Sequence, residues 1–395
     1  MRDSFRVAAR AFLLTRAAVW ACGMAAAHWV GLSGRAPAFD PLGLTRGFGS
    51  FGDALLAPAA RWDTVWYVQI ADHGYPDTTH AAFFPLYPLV SRGVGLIFGS
   101  ALVGGLVVSF AASIIALALL HRLVLVELRD ERAASWCVWL LACFPAAFFL
   151  SAVYSEGLFL ALSVGCVLAA RERRWWLAGG LGLLAAATRS AGVVLLAPLL
   201  LLWWDSERRP RDLAPLVLVP AGLAVFAGAL ALAGLDGMAP FHAQEQWFRH
   251  WAGPFVGIKD GAVAAWDGAR QLLHGARTPV YFTKAGGDPY VNAYHNLELF
   301  GTLLALVPMT IGTLRRLPLA YGAYVVAALF LPLSWPVGPQ PLMSLPRFAL
   351  VLFPLFMWLG WWAARGRARG WLVGAAFLAL QLWAVAEFAT WHWVA

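Results

Sequence analysis

The chain has 395 residues, of which 61% are hydrophobic and 13% charged, and its net charge is +8. A typical soluble domain is about 45–50% apolar and about 25% charged, so the composition argues against a water-soluble fold. The positive charge does not indicate a nucleic-acid partner, because the arginines cluster in short loops between apolar runs, as orientation signals do in membrane proteins.

Apolar runs recur along the whole chain, and a spanning helix needs about 20 mostly apolar residues. The first run, residues 12–30, follows a basic segment and would also suit a signal peptide, but no convincing Ala-x-Ala-like cleavage site follows it. We therefore expect a retained first helix and a cytoplasmic N-terminus. About eleven spans place every basic cluster on the cytoplasmic side. The predicted spans are 10–30, 101–121, 134–151, 157–170, 175–187, 190–204, 213–234, 297–314, 319–335, 347–364 and 370–389.

Two apolar segments leave the topology open. Residues 83–98 are only 16 residues long and are interrupted by prolines, a serine and an arginine. We expect an interfacial or re-entrant helix there, because a crossing would reverse the orientation of every later basic loop. Residues 175–187 and 190–204 would also suit one long helix, but basic residues on both flanks favour a hairpin with Arg189 near the external face.

Two long segments, residues 31–100 and 236–296, remain outside in this topology. The second is rich in tryptophan and tyrosine, which favour the membrane–water interface. We expect both segments to lie on the bilayer, with interfacial helices in the first. The four cysteines fall within apolar runs and indicate neither disulfides nor a metal site.

The first candidate for chemistry is Asp63, in the run RWDTVWYVQIADHGY of residues 61–75. Charged and aromatic residues clustered at an interface suit the polar group of a lipid. Transfer of a sugar to a hydroxyl needs a carboxylate to accept the hydroxyl proton, and the leaving phosphate needs cations. An equally weighted alternative is that Asp63 caps a short helix beginning at Thr64.

Two further motifs have both a structural and a functional interpretation. Residues 81–88, AAFFPLYP, would shape a groove for an isoprenoid or, as the residues alone favour, only end a helix. Glu156, in VYSEG, is predicted at the outer face, where a carboxylate is expensive and usually functional. Its alternative role is a helix N-terminal acid stabilised by the helix dipole.

Arg189, in ATRSAG, and Arg347, in SLPRF, are predicted at external helix ends, against the usual inside bias of arginine. Guanidinium groups match phosphate oxygens with a fork of donors. Snorkelling to lipid headgroups is the alternative, with equal weight. Gln246 and Arg249, in the second long loop, would bind sugar or only order that loop.

Taken together, RWDTVWYVQIADHGY, AAFFPLYPL, YSEGLFLAL, ATRSAG and SLPRFALVLFP resemble the PIG-V family, the second mannosyltransferase of glycosylphosphatidylinositol assembly, and its bacterial relatives. The motifs run in the family's order from about residue 61 to 356. The resemblance implies an all-α, polytopic GT-C glycosyltransferase fold in one membrane domain. A conserved module would cover residues 1–210, and residues 211–395 would form more variable helices.

The resemblance also implies a reaction, namely inverting transfer of mannose from polyprenyl-phosphate-mannose on the external face of what would be a bacterial plasma membrane. Asp63 occupies the position of the family's catalytic aspartate, Arg347 and Arg189 look like ligands of the donor phosphate, and no cofactor or metal is expected. The residues predicted to contact substrate are Arg61, Trp62, Tyr67, Asp72, His73, Tyr87, Tyr154, Glu156, Gln246 and Arg249.

The sequence leaves the acceptor open among a glycolipid, a cell-wall glycan and a protein. Thr78, Thr79 and His80 stand where such families commonly carry an acidic residue, and Phe348 stands where tyrosine is common. The alternative function is a polytopic transporter or lipid flippase, whose intramembrane charges would line a pathway. Such proteins often contain inverted repeats, and no internal repeat is visible here.

Overall fold

A computed structural model describes residues 2–32, 36–246, 248–275, 288–338, 340–366 and 368–394. The described residues form helices joined by turns and loops, with one isolated bridge between Arg249 and Val337. The first ten helices are α1 Arg2–Trp29, α2 Ala36–Phe39, α3 Gly49–Leu56, α4 Asp63–His73, α5 Leu86–Phe98, α6 Ala101–Leu128, α7 Glu131–Cys143, α8 Glu156–Arg171, α9 Trp175–Ala186 and α10 Leu196–Trp204. The remaining helices are α11 Leu218–Leu232, α12 Ala239–Gln246, α13 Pro254–His274, α14 Pro289–Arg316, α15 Leu319–Ser334, α16 Leu345–Leu350, α17 Phe353–Ala363 and α18 Arg369–Ala389.

Short 3₁₀ turns connect several of these helices. They are η1 Thr79–Ala82, η2 Pro145–Leu150, η3 Ser190–Leu195, η4 Pro210–Asp212 and η5 Ala214–Val217. The prediction of an all-α protein is confirmed for the described part of the chain. The chain is an integral membrane protein by this architecture, since five of the described helical segments are long and apolar enough to cross a bilayer. These segments are Arg2–Trp29, Ala101–Leu128, Pro210–Leu232, Pro289–Arg316 and Arg369–Ala389.

The eleven predicted spans all correspond to helical segments, but several are shorter than predicted, so eleven crossings, their orientation and the GT-C fold stay predictions. The predicted span 347–364 is wrong as one continuous helix, because Val351 and Leu352 separate α16 from α17. The predicted span 134–151 is wrong in the same way. Its helix ends at Cys143, and the chain continues as η2 after an extended Phe144. Pro145 explains the break, because the residue before proline is driven out of the helical region.

The break leaves buried backbone carbonyls of a predicted membrane span without helical partners, and each unpaired group is expensive in a bilayer. Arg16, in the middle of α1, donates to the carbonyls of Ala142 and Ala147. Gln381 of α18 donates to the carbonyls of Ala142 and Phe144, at 3.2 and 3.0 Å. Two helices distant in sequence therefore hold the bend that leads to the candidate active site.

The prediction of two separate helices around residue 189 is confirmed, and the alternative of one long helix is wrong, whereas the hairpin topology stays a prediction. Helix α9 ends at Ala186, and Arg189 is extended before η3 begins. The N–H of Leu86 donates to the carbonyl of Ala187 at 3.1 Å. The start of α5 thus contacts the break after α9 and joins it to the first long loop.

Helix α5 occupies most of the ambiguous segment 83–98 and has 13 residues. At about 1.5 Å per residue it is shorter than the apolar core of a bilayer, about 30 Å. It packs on α6 with close backbone approach, since a Cβ at Gly104 would clash with the carbonyl oxygen of Ser91. Leu96 and Ile97 are exposed on its other side, so its placement at the interface stays a prediction.

The motif AAFFP joins the two long loops through a small apolar core. Ala81 and Phe84 pack with Phe226 and Leu230 of α11 and with Ala239 of α12. Packing in this core accounts for the burial of Phe84, whereas Phe83 is buried in the main core, and the groove for an isoprenoid stays a prediction. The helix that follows, α5, begins directly after Pro85.

Candidate active site

Helix α4 presents Asp63 at its first position. The helix begins at Asp63 and not at Thr64, its N-cap residue is Trp62, and that cap has no side-chain hydrogen bond. The hypothesis that Asp63 caps a helix beginning at Thr64 is therefore wrong. The carboxylate Oδ2 instead accepts a hydrogen bond of 2.8 Å from Nη1 of Arg347, 284 residues along the chain.

A buried carboxylate, that of Glu156, lies at the centre of the cluster. Its side chain is fully buried, and Oε1 accepts from Nη1 of Arg189 at 2.6 Å. The same oxygen accepts from Nε and Nη2 of Arg347 at 3.1 and 2.9 Å. Arg347 thus joins both carboxylates, and the snorkelling alternative does not describe the orientation of either arginine. Glu156 is also the first residue of α8, so it occupies the helix N-terminal position as well.

Aromatic rings fix the guanidinium of Arg347. Its Cζ lies 4.8 Å from the ring centroid of Phe149 and 4.9 Å from that of Tyr154, distances at which cation–π attraction contributes. The hydroxyl of Tyr154 accepts from the backbone N–H of Asp63 at 3.1 Å and donates to the carbonyl of Arg61 at 3.2 Å. Tyr154 therefore aligns the start of α4 with the ion-pair cluster.

A third arginine adjoins the cluster from the second long loop. Arg249 donates to the carbonyls of Trp335 and Met343, each at 3.1 Å. Its Cζ lies 5.5 Å from the ring of Phe348, and that of Arg189 lies 5.8 Å from the same ring. Burial lowers the pKa of Arg249 to about 10, and the nearby Arg347 lowers it as well, yet the group stays cationic at neutral pH.

The net charge of this cluster indicates which kind of ligand it is suited to bind. Arg189 and Arg347 pair with two carboxylates, and Arg249 adjoins them at Phe348, so the three guanidinium groups exceed the carboxylates by one positive charge. Charge-assisted bonds from planar guanidinium groups suit phosphate. In the described part of the chain, no group of three or more His, Cys, Asp or Glu side chains has the arrangement of a metal site.

The other residues predicted to contact substrate are dispersed. Arg61 donates from Nε to the carbonyl of Ala389 at 3.1 Å, and Trp62 donates to that of His392 at 3.1 Å. Both side chains thereby hold the segment after α18 against the candidate site. Trp62 also contacts the rings of Trp391 and Trp393.

Tyr67 and Tyr87 lie on the buried side of the first loop. Tyr67 donates to Oγ of Ser155 at 2.9 Å, next to Glu156, whereas Tyr87 donates to the carbonyl of Gly105 at 3.0 Å. Asp72 and His73 are exposed at the end of α4, away from the ion pairs. Gln246 ends α12, but its side chain lies outside the described residues.

Sequence reasoning missed two groups near this site. Arg16 was visible as a lone arginine within an apolar run, which is the signal of a buried intramembrane charge. His80 was noted only as a departure from a family pattern. Its ring is buried and lies 2.8 Å from the carboxylate of Asp77.

Comparison with known proteins confirms the resemblance. The family described as Mannosyltransferase (PIG-V) matches residues 36–201, a range that includes Asp63, Glu156 and Arg189 but not Arg347. Proteins named GPI alpha-1,6-mannosyltransferase 2 are 32% identical over 137 residues in Cricetulus griseus, 35% over 143 in Rattus norvegicus and 37% over 143 in Mus musculus. Each match covers 32% of this chain and 28% of the relative's length. No solved structure gives a significant match.

Proposed function

We propose that the chain is an inverting GT-C mannosyltransferase that uses polyprenyl-phosphate-mannose on the external face of a bacterial plasma membrane. The observation that carries the proposal is the bridge from Arg347 to both Asp63 and Glu156, with Arg189 on the same Glu156 oxygen. A candidate base, two candidate phosphate ligands and the carboxylate of Glu156, from four separate parts of the sequence, thus meet at one point. The match to PIG-V mannosyltransferases over residues 36–201 supports mannose as the sugar.

Each residue has a defined task in this reaction. Asp63 accepts the proton of an acceptor hydroxyl, whose oxygen then forms a bond to the anomeric carbon of the donor mannose. The bond from that carbon to the phosphate oxygen breaks, and its electron pair leaves with polyprenyl phosphate. Arg347 and Arg189 stabilise the charge on the leaving phosphate. Glu156 holds both guanidinium groups before the donor binds.

The acceptor is proposed by its chemistry. The relatives named GPI alpha-1,6-mannosyltransferase 2 form a linkage to the 6-hydroxyl, a primary alcohol. We infer a sugar hydroxyl on a lipid-linked or cell-envelope glycan as the acceptor of this chain. Polyprenyl-phosphate-mannose, this acceptor and membrane lipids would then be its partners.

The decisive experiment replaces Asp63 with asparagine, which preserves shape and removes the proton-accepting charge. Purified enzyme in detergent receives synthetic polyprenyl-phosphate-mannose with labelled sugar and octyl α-mannoside as acceptor. Because a positioned base contributes about 10²–10⁴-fold, we expect Asp63→Asn to lower transfer by that factor. Asp53→Asn is the matched control, since the Asp53 carboxylate accepts from the backbone N–H of Phe48 in the same loop.

Two outcomes would contradict the proposal. A folded Asp63→Asn enzyme that transfers mannose at the wild-type rate would remove Asp63 from the mechanism. Movement of the polyprenyl lipid across proteoliposomes without formation of a mannoside would favour the flippase instead.

A further inference from the structure

His80 combines burial with a hydrogen-bonding nitrogen that has no partner among the described residues. The residue is 4% exposed, and its Nδ1 lies 2.8 Å from Oδ1 of Asp77. Its Nε2 is buried and makes no hydrogen bond to any described group. A buried polar atom without a partner is destabilising, so an arrangement of this kind is typical of a site that a ligand completes.

Asp77 determines which nitrogen of His80 is available. Its carboxylate also accepts the backbone N–H of Thr79 at 2.8 Å and of His80 at 3.2 Å. Partial burial acts to raise the pKa of Asp77, but the hydrogen bonds and the charge of His80 lower it overall. Because Nδ1 bonds to this carboxylate, Nε2 is the nitrogen left to bond a hydroxyl, which can donate to an unprotonated ring nitrogen or accept from a protonated one.

The imidazole lies beside the same helix that carries Asp63. Its ring contacts that of Trp66 at 4.8 Å in an edge-on geometry, and Trp66 also stacks on Phe83 at 5.6 Å. Trp66 follows Asp63 by three positions on α4. Residues three apart on a helix have Cβ atoms about 5–6 Å apart, so His80 is placed one side chain away from the candidate base.

The phosphate-binding arginines lie on a different side of α4. Tyr67 donates to Ser155, next to Glu156, which is the carboxylate that both arginines contact. Trp66 precedes Tyr67 and therefore points about 100° away around a helix of 3.6 residues per turn. His80 thus contacts α4 on a face about 100° around the helix from that of Tyr67, and we expect an acceptor to approach Asp63 from this face.

We propose that His80 binds a hydroxyl of the acceptor sugar and that Asp77 positions its imidazole for this contact. This subsite lies at the seam between the two long loops, because Ala81, next to His80, packs on Ala239 of α12. The inference rests on the proposed mannosyl transfer and adds the acceptor side of the site. His80 and Asp77 would then act on the acceptor, whereas the arginines act on the donor phosphate.

Two substitutions of His80 separate ligand binding from packing. Glutamine places an amide near the position of Nε2, whereas the shorter asparagine reaches only that of Nδ1. With octyl α-mannoside as the acceptor probe, His80→Asn should raise the acceptor KM about tenfold, the effect of one lost hydrogen bond, and leave the donor KM unchanged. His80→Gln should recover most of the acceptor affinity. Asp77→Asn should raise the acceptor KM less than His80→Asn.

His242→Asn is the matched control, because His242 pairs with Asp236 at 2.6 Å but is exposed on the neighbouring helix α12. It should leave both KM values unchanged. If wild type transfers mannose and the two His80 variants keep its acceptor KM, the inference is wrong and the proposed function stands. Both variants could instead lose kcat and melting temperature equally while the acceptor KM stays unchanged. That result would assign His80 a packing role and would also overturn the inference. If wild type transfers no mannose, the proposed function and this inference fall together.

Discussion

Replacing Glu156 with glutamine removes one charge from the centre of the ion-pair cluster and preserves the volume of the side chain. In the wild type, Oε1 accepts three hydrogen bonds from Arg189 and Arg347, whereas Oε2 is buried and has no partner among the described residues. The amide introduced by Glu156→Gln would leave both arginines short of a counter-charge. If its NH₂ took the Oε2 position, it would also add a buried donor without an acceptor.

The size of this effect follows from burial. Glu156 is fully buried, so solvent does not screen its charge. Removing one partner of a buried ion pair costs about 3–5 kcal/mol, and we expect the lower end, about 3 kcal/mol, because Arg347 keeps its bond to Asp63. If each misaligned arginine contributes about 1.4 kcal/mol less to the free energy of donor binding, the donor KM rises about tenfold per arginine.

The assay follows thermal unfolding by tryptophan fluorescence in detergent, together with initial rates of mannose transfer at varied donor concentration. Glu172→Gln is the matched control, because Glu172 pairs with Arg122 where both side chains are partly exposed. Such surface pairs contribute about 0.2–1 kcal/mol. If Glu156→Gln unfolds like this control and keeps the wild-type donor KM, the cluster does not organise a phosphate site.

Three further predictions follow from other parts of the structure. Tyr154→Phe removes the hydroxyl that accepts from the N–H of Asp63, so it should lower stability by about 1–2 kcal/mol in thermal unfolding and slow transfer less than Asp63→Asn. Gly104→Ala should lower the melting temperature, because its Cβ would clash with the backbone of α5, whereas Gly301→Ala on α14, where the Cβ meets open space, should not. Because the pKa of Asp77 is lowered in the folded protein, its carboxylate stabilises the fold above its unfolded pKa of about 3.9. That contribution should disappear in acid titrations as pH falls through the folded pKa, and Asp77→Asn should lack it.

The helical class and most element positions could be predicted. Apolar runs predict the helices, and basic clusters predict the loops between them. Residue type and predicted position also indicated four candidate site residues individually, namely Asp63, Glu156, Arg189 and Arg347. Their contacts could not be predicted, because Arg347 reaches Asp63 only through the packing of helices 284 residues apart. The alternative in which Asp63 caps a helix is wrong for the same reason, since its carboxylate forms a long-range ion pair that no local rule predicts.

Neither the bend after Cys143 nor the seam around His80 could be predicted from the sequence, and the reasons differ. Pro145 predicts a break in the helix. The donors to the carbonyls at this bend come from α1 and α18, so no local sequence pattern predicts them. His80 has no spacing that marks it, and only the fold shows that its Nε2 is buried without a partner among the described residues.

The contact of Arg16 with the bend has a consequence for membrane insertion. Helix α1 leaves the ribosome well before residues 142–147 are synthesised, so Arg16 must first enter the apolar layer without its carbonyl acceptors. An arginine at the centre of an inserting helix costs about 2.5–3.5 kcal/mol on the translocon scale. Arg16→Leu should therefore help the isolated helix to insert and yet weaken the finished protein, so the efficiency of biogenesis and the final stability would change in opposite directions.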